Sequence, residues 1–246
     1  KNAALEETLL GIVRTLSGIL EMRGIGAKGH ALRVSQGCEW LGDRLNFPPE
    51  RRLELSMAAT LHDIGKVSLP DDLVRKDPFA FTRAEAAMYR EYPLLGQAML
   101  SGIRQLEGVG RLIRCQGEWY NGAGYPDGLV GEQIPVGSRI IAVGNDYEER
   151  HDESLLQQGI GRRFDPQVAA LFLEYLAERP AAPQGEGARA LAAHELREGM
   201  KLLNDVYTGR GLLLVGGGKA VDKPTLEKIR NFNRIDPITG KIYVQV

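Results

Sequence analysis

The strongest constraint on the fold is the spacing of apolar residues, which follows the helical period through most of the first 178 residues. Between residues 4 and 23 they recur at intervals of three and four, as in an amphipathic helix. The same spacing predicts helices at about 30–45, 53–62, 82–90, 93–106, 109–119 and 166–178. Gly65 is well placed to end the helix predicted at 53–62. Residues 139–143 are consistent with either a strand or a buried helix start. The sequence therefore predicts a mainly-α domain.

The pattern changes towards the C-terminus. Residues 180–187, rich in Pro, Gly and Ala, predict a linker. Beyond it we expect short strands at 200–207, 212–215 and 242–246, turns at 209–211 and 216–218, and one helix at 223–232. The predicted parts are an N-terminal helix and linker (1–27), a helical domain (28–179), the linker (180–187) and a small β-rich domain (188–246).

Composition narrows the classes of function. A formal net charge of −1 with mixed signs argues against a broad surface for nucleic acid or anionic lipid. No apolar run approaches the roughly 20 residues of a membrane-spanning helix, and the two cysteines, Cys38 and Cys115, form no ligand motif. We expect reduced thiols and a cytoplasmic protein. Because the chain starts at Lys1 inside a helical pattern, we also expect a missing upstream domain. The amphipathic first helix could pack on the main domain or pair with its copy, and we expect a homodimer through it.

The run from Ala58 to Lys66, Ala-Ala-Thr-Leu-His-Asp-Ile-Gly-Lys, carries the first chemical signal. An imidazole beside a carboxylate, as in His62-Asp63, suits a divalent metal. The alternative is a pair hydrogen-bonded to neighbouring backbone. Lys66 is a candidate phosphate ligand. Alternatively it caps the last carbonyls of its helix, since a cation is favourable at that end, and this is the interpretation that we favour.

The second signal is the Gly- and Pro-rich segment from Gly122 to Pro135, which contains Gly124-Tyr125-Pro126 and predicts an irregular loop. With His62-Asp63 upstream, the chain resembles the HD-GYP family, a branch of the HD phosphohydrolases, over roughly residues 28–175. The segment 196–232 also resembles a β-rich part that follows this domain in some members, where an upstream receiver domain of the response-regulator type is frequent. The fold implied is an HD-type helical bundle with a small β-rich C-terminal domain.

The resemblance implies bacterial signal transduction through hydrolysis of cyclic di-GMP, or a related cyclic dinucleotide, at a centre of two or three iron or manganese ions. Of the family's ligands this sequence keeps those that fall on His30, His62 and Asp63. Other ligand positions fall on residues that are poor ligands or none: Tyr92, Gln116, Gly117 and Asn145. A longer stretch that the family carries before Phe164-Asp165-Pro166 is also short here.

These replacements predict a degenerate family member with little or no phosphodiesterase activity, a pseudoenzyme with a regulatory or docking role. The expected cofactor is none, or a single iron or manganese ion on His30, His62 and Asp63. The alternative is a slow phosphodiesterase that uses this reduced site. Glu118 is expected to anchor the Gly-rich loop. The Gly124-Tyr125-Pro126 turn is either a rigid turn or, as the resemblance implies, a docking surface for GGDEF-domain proteins, with cyclic di-GMP as a possible ligand of the domain.

Overall fold

The structure is a computed structural model that describes residues 2–26, 29–178, 188–204, 206–208, 213–238 and 242–245. It divides into two compact units, Lys1–Glu178 and Arg179–Val246. The linker predicted at 180–187 and the turn predicted at 209–211 lie outside the described residues. Among the helices of the described ranges, none has the length and apolar character needed to cross a bilayer.

The first unit is built of helices joined by short turns, which confirms the mainly-α prediction. Its α-helices are α1 (Asn2–Met22), α2 (His30–Arg44), α3 (Pro49–Leu61), α4 (Asp71–Arg75), α5 (Arg83–Tyr89), α6 (Tyr92–Leu100), α7 (Glu107–Arg114), α8 (Val136–Arg150), α9 (Glu153–Gly159) and α10 (Pro166–Glu178). Single 3-10 turns stand between them at Ile64–Ser68, Pro78–Ala80, Arg104–Leu106, Cys115–Gly117 and Gly131–Gln133.

The core of this unit lies where α2 packs against α3, α8 and α10. Each of these helices turns one apolar face inwards, as the helical spacing requires. The fully buried side chains that fill the contact include Leu41, Leu55, Leu61, Ile140, Ile141 and Phe172. Burial of one such side chain contributes about 1.5–3 kcal/mol to folding, so the helix crossings are fixed by the core independently of any ligand.

Several sequence-based boundaries were wrong for identifiable reasons. The helix expected over 93–106 ends at Leu100, where the Ser101 hydroxyl donates to the Ala98 carbonyl at 2.8 Å and Gly102 follows. The helix expected over 109–119 ends at Arg114, and Glu118 is extended. For residues 139–143, which the sequence left as either a strand or a buried helix start, the helix is correct, since they lie in α8.

Within its described residues, the second unit contains short strands, one α-helix and a 3-10 turn at Ala193–Glu195. Strands β1 (Ala188–Leu191), β5 (Ile242–Gln245) and β2 (Lys201–Leu202) form an antiparallel sheet in the order β1-β5-β2, while β3 (Val206–Tyr207) pairs with β4 (Leu213–Val215). Helix α11 (Lys223–Ile235) begins at an Asp222 cap and buries Ile229 against Leu202 and their apolar neighbours. The single strand expected over 200–207 is two strands, because the Asn204 side chain accepts the Tyr243 amide at 2.7 Å and replaces a backbone partner.

Gly65 does not end α3, which stops at Leu61 with His62 in helical geometry as its cap. Gly65 instead lies in the 3-10 turn, packed against the start of α6. A Cβ atom at this position would lie 1.9 Å from the Tyr92 carbonyl oxygen and 2.6 Å from the Gly96 nitrogen. Since both contacts are backbone atoms, no side-chain rotation can relieve them.

We therefore expect Gly65→Ala to lower the free energy of unfolding of the first unit by about 2 kcal/mol or more, through overpacking. The measurement is urea denaturation followed by far-ultraviolet circular dichroism. Gly18→Ala is the matched control, because a Cβ there meets no atom within 4 Å and alanine favours the helix. Equal midpoints for the two variants would contradict the close packing of Gly65.

Candidate metal centre

Three helices bring polar side chains together in the core of the first unit. His30 is the first residue of α2, directly after Gly29, whose φ of 70° lies in the left-handed region. His62 caps the end of α3, and Asp63 opens the following turn. Asn145 lies on α8. The contacts of α2 with α3 and α8 place these side chains at one point.

The polar atoms of this cluster are close to one another. His30 Nε2 lies 3.3 Å from His62 Nε2 and 2.9 Å from Asn145 Oδ1. His62 Nε2 lies 3.1 Å from Asn145 Oδ1 and 3.4 Å from Asp63 Oδ1. His30, His62 and Asp63 are all buried, and their ligand atoms lie within 4.8 Å of one another.

The hydrogen bonds around His62 and Asn145 determine which atoms face inwards. His62 Nδ1 lies 2.7 Å from the Ala59 carbonyl, so this nitrogen donates to it, and in the neutral ring Nε2 then keeps its lone pair. The Asn145 amide nitrogen donates to Glu149 Oε1 at 3.4 Å, which turns its oxygen towards the imidazoles. Two lone-pair atoms, His62 Nε2 and Asn145 Oδ1, therefore face each other, an arrangement that a cation between them would stabilise.

This donor set fits one divalent ion. Two ligands about 2.1 Å from an ion at a right angle lie about 3.0 Å apart, and the four separations here fall between 2.9 and 3.4 Å. A histidine that ligates a metal usually donates its other ring nitrogen to a carbonyl or carboxylate, as His62 does to Ala59. The atoms that would hold the ion are His30 Nε2, His62 Nε2, Asp63 Oδ1 and Asn145 Oδ1.

The ionisation states suit the same role. Burial, with the neighbouring His62, lowers the pKa of His30 to about 4, so its imidazole is neutral at pH 7. Burial alone would raise the pKa of Asp63, but His62 and Lys66 outweigh it and hold this carboxyl well below its usual range. Burial likewise would lower the pKa of Lys66, but Asp63, Tyr89 and Glu149 raise it. Asp63 and Lys66 are thus a charged pair.

Lys66 does not cap the carbonyls of α3, so the interpretation that we favoured for it from the sequence was wrong. Its ammonium lies 2.9 Å from Asp63 Oδ1 and 3.0 Å from Oδ2. A carboxylate attracts a buried ammonium more strongly than a carbonyl dipole does, which explains the choice of partner. The ammonium also lies 5.0 Å from the centre of the Tyr92 ring and 5.4 Å from that of Tyr89.

The remaining candidate ligand positions are occupied by groups with other contacts. Tyr92 is buried in the first turn of α6. Gln116 donates its amide to the His62 carbonyl at 2.6 Å. Gly117 carries no side chain, and the Tyr125 ring packs on it so closely that a Cβ would lie 2.7 Å from the ring.

The Gly-rich loop is tied to the first unit at several points. Glu118 is buried and accepts the backbone amides of Asp127, Gly128 and Leu129 at 2.6–3.1 Å. Asp127 in turn forms a bidentate ion pair with Arg114. The Gly124-Tyr125-Pro126 turn contains a cis peptide bond before Pro126, and the Tyr125 amide donates to the Gly117 carbonyl at 3.1 Å.

Sequence reasoning missed two contributors to the centre. Asn145 was treated as a lost position, although its oxygen faces both imidazoles. Glu149 was not singled out, yet it orients Asn145 and lies 3.9 Å from Lys66. The sequence signal that could have identified them is their spacing, because Asn145 and Glu149 are four residues apart and therefore lie on one face of a helix. The neighbouring carboxylate, Asp146, forms ion pairs with Arg163 and Arg150 instead.

Comparison with known proteins finds relatives that are named as cyclic-dinucleotide phosphodiesterases. A cyclic di-GMP phosphodiesterase response regulator of Xanthomonas campestris is 36% identical over 144 residues, which cover 58% of this chain and 37% of that protein. A 3'3'-cGAMP-specific phosphodiesterase of Vibrio cholerae is 28% identical over 187 residues, 70% of this chain and 35% of that protein. The chain therefore spans well under half of the length of these curated relatives.

Solved structures give the same fold. A cyclic GMP-AMP-specific phosphodiesterase from Vibrio cholerae superposes with a TM-score of 0.55 at 20% identity, covering 68% of this chain and 48% of that one. An HDG"Y"P protein from Bdellovibrio bacteriovorus gives a TM-score of 0.52 at 19% identity, covering 61% and 52%. Both support an HD-type helical fold. The family model described as the HD domain matches residues 14–168, which are more than half of this chain. The chain therefore belongs to the HD domain family.

Proposed function

We propose that this chain is a degenerate member of the cyclic-dinucleotide phosphodiesterase branch of the family. It holds one divalent ion, iron or manganese, and has little or no hydrolytic activity. The observation that carries the proposal is the convergence of four side chains on one point: His30, His62, Asp63 and Asn145. At the other candidate positions, Tyr92 is buried, the Gln116 amide donates to the His62 carbonyl, and the Tyr125 ring packs on Gly117.

The ligand class follows from the relatives, which are named for cyclic di-GMP and 3'3'-cGAMP. A bound ion would supply a Lewis acid for a phosphoryl oxygen and would lower the pKa of water. The contribution of the protein is to hold the donors: Ala59 fixes the tautomer of His62, and Glu149 orients Asn145. A single ion offers less charge than the pair that clamps both the attacking and the leaving oxygen in two-metal sites, so regulated binding fits the centre better than turnover.

A slow phosphodiesterase is the second candidate. The observation that favours it is the donor set itself, because two imidazoles and a carboxylate beside an amide oxygen match the ligands of catalytic single-ion sites. The two candidates make different predictions for turnover, so an assay of hydrolysis separates them. They make the same prediction for ion binding, so a binding measurement tests the site that both require.

The Gly124-Tyr125-Pro126 loop is the proposed docking surface for a GGDEF-domain protein. Glu118 and the Arg114–Asp127 pair hold the loop in one conformation, while Ala123, Asp127 and Val130 remain exposed. A loop that is already ordered loses little conformational entropy when a partner binds. Pre-organisation therefore supports the role that the resemblance implies.

Helix α1 is the proposed dimer contact. Its buried face carries Val13 and Leu20, whereas Ile12, Ile19 and Met22 on another face are 50–60% exposed. Ile12 and Ile19 are seven residues apart and Met22 follows three residues later, which is the spacing of a helix that pairs with a second helix.

For hydrolysis, we expect no turnover of cyclic di-GMP by protein prepared anaerobically with iron or manganese. The assay separates substrate from linear and mononucleotide products, and His62→Ala is the control for a contaminating enzyme. Turnover by the original protein that disappears in His62→Ala would favour the slow phosphodiesterase over the pseudoenzyme.

For ion binding, we expect Asn145→Asp to tighten Mn²⁺ binding by about tenfold or more, because it adds a negative charge beside the ion. His62→Ala should abolish binding, and both effects are measured by isothermal titration calorimetry. His194→Ala, an exposed histidine of the second unit, is the matched control for histidine removal and should bind as the original chain does. Unchanged binding in His62→Ala would place the ion elsewhere.

For the dimer, we expect Ile12→Asp combined with Ile19→Asp to shift the mass measured by multi-angle light scattering from dimer to monomer. Charges at these positions would be costly to bury in a helix–helix contact. Ile235→Asp removes an isoleucine that is 78% exposed in the second unit and should leave the mass unchanged. A monomeric mass for the unaltered chain would rule out the α1 contact.

A further inference from the structure

A cavity of about 550 Å³ lies within the second unit, and arginines from three separate elements line it. Arg189 comes from strand β1, Arg197 from the segment that follows the 3-10 turn at Ala193–Glu195, and Arg230 from helix α11. The volume is within the roughly 300–1,000 Å³ of sites that bind small molecules. The fold of this unit thus gathers cations that are up to 41 positions apart in the sequence around one space.

The pairing of β1 explains why Arg189 faces this space. Arg189 lies opposite Val244 of β5, and Leu191 lies opposite Ile242. Both residues of β5 are buried in the apolar core of the unit. Because cross-strand partners project from the same face of a sheet, Arg189 is on the core-facing side. A charge in this position on an edge strand also discourages pairing with another chain, but that role does not account for the arginines of the other two elements.

The charges of the cavity are not balanced within the unit. In the part of the chain that the structure describes, no ion pair joins any of the three arginines to a carboxylate. In the first unit, by contrast, Arg114 and Arg139 pair with carboxylates. One carboxylate lines the cavity, that of Glu195, and its Oε2 accepts the Ala192 amide of its own turn at 2.7 Å. The excess of positive charge favours an anionic ligand.

The cavity also has an apolar lining. Leu196 is fully buried, while Leu191 and Met200 are half-buried and pack on the core of the unit. A guanidinium group has a flat face that stacks on planar rings, and a methionine thioether makes favourable contacts with aromatic rings. His194 also lines the cavity, and its imidazole has at least one N–H donor in every protonation state. The lining therefore combines donors for an anion with surface for a ring.

We propose that this cavity binds a nucleotide, with its phosphates on the guanidinium groups and its base against Leu191 and Met200. The planar fork of an arginine matches two oxygens of a phosphate. A simple anion would use the guanidinium groups and leave the apolar lining uncovered, whereas a nucleotide covers both. The site lies entirely in the second unit and does not depend on the ion proposed for the first.

The test is calorimetric titration of the full chain with ATP, inorganic pyrophosphate and adenosine, in buffer with a chelator so that no divalent ion takes part. We expect one ATP per chain, weaker binding of pyrophosphate and no measurable binding of adenosine. Arg197→Met and Arg230→Met should each weaken ATP binding about tenfold or more, since each removes a charged hydrogen-bonding group. Arg234→Met is the matched control, because Arg234 is exposed one turn further along α11 and should leave the affinity unchanged.

The position of the base has its own measurement, which uses the unaltered protein. With ¹³C-labelled methionine methyl groups, the signal of Met200, assigned with Met200→Leu, should shift with ATP through the ring current of the base and stay in place with pyrophosphate.

Two outcomes would overturn the inference. Unchanged ATP affinity in Arg197→Met and Arg230→Met, with each variant shown to be folded by circular dichroism, would place the nucleotide elsewhere. Equal affinities for ATP and pyrophosphate, with an unmoved Met200 signal, would show a site for phosphate alone. Because the titrations contain no free divalent ion, neither outcome bears on the ion site of the first unit.

Discussion

The contact of α2 with both α3 and α8 is the constraint on which the centre depends. These helices meet through apolar side chains such as Leu41, Leu55 and Ile141, and their crossing sets the positions of His30, His62 and Asn145. Because close-packed cores resist deformation, the donors are brought together by packing and need no ion to assemble them. The same packing means that the fold of this unit does not depend on a bound ion.

The sequence predicted the helices well where one apolar face is buried, as in α1, α2 and α10. It failed where a local contact ended a helix, as at Ser101, or where a side chain replaced a strand partner, as at Asn204. For the centre, His30, His62 and Asp63 could be identified from motif resemblance. The roles of Asn145 and Lys66 could not, because they depend on which groups face them across the core: two imidazoles in one case and both oxygens of Asp63 in the other.

Two of the other candidate ligand positions, Gln116 and Gly117, have close contacts of their own beside the centre. The Tyr125 ring covers Gly117, and the Gln116 amide satisfies the His62 carbonyl. A buried polar group without a partner costs about 1–3 kcal/mol, and His62 avoids this cost through contacts at its carbonyl and at Nδ1. These two contacts hold His62 in the orientation that an ion would require.

Charge decides what such a centre is suited to do. The donors at this point are two imidazoles, the Asn145 amide oxygen and one carboxylate, Asp63, which is shared with Lys66. Strong ion binding depends on negative charge among the ligands. Activation of water also requires that the ion keeps an open coordination position. These requirements are the reason why we propose that the centre binds an ion or a nucleotide and does not hydrolyse one repeatedly. The pairing of Lys66 with Asp63 is a fixed property of the fold, because the Tyr89 and Tyr92 rings hold the ammonium beside this carboxylate.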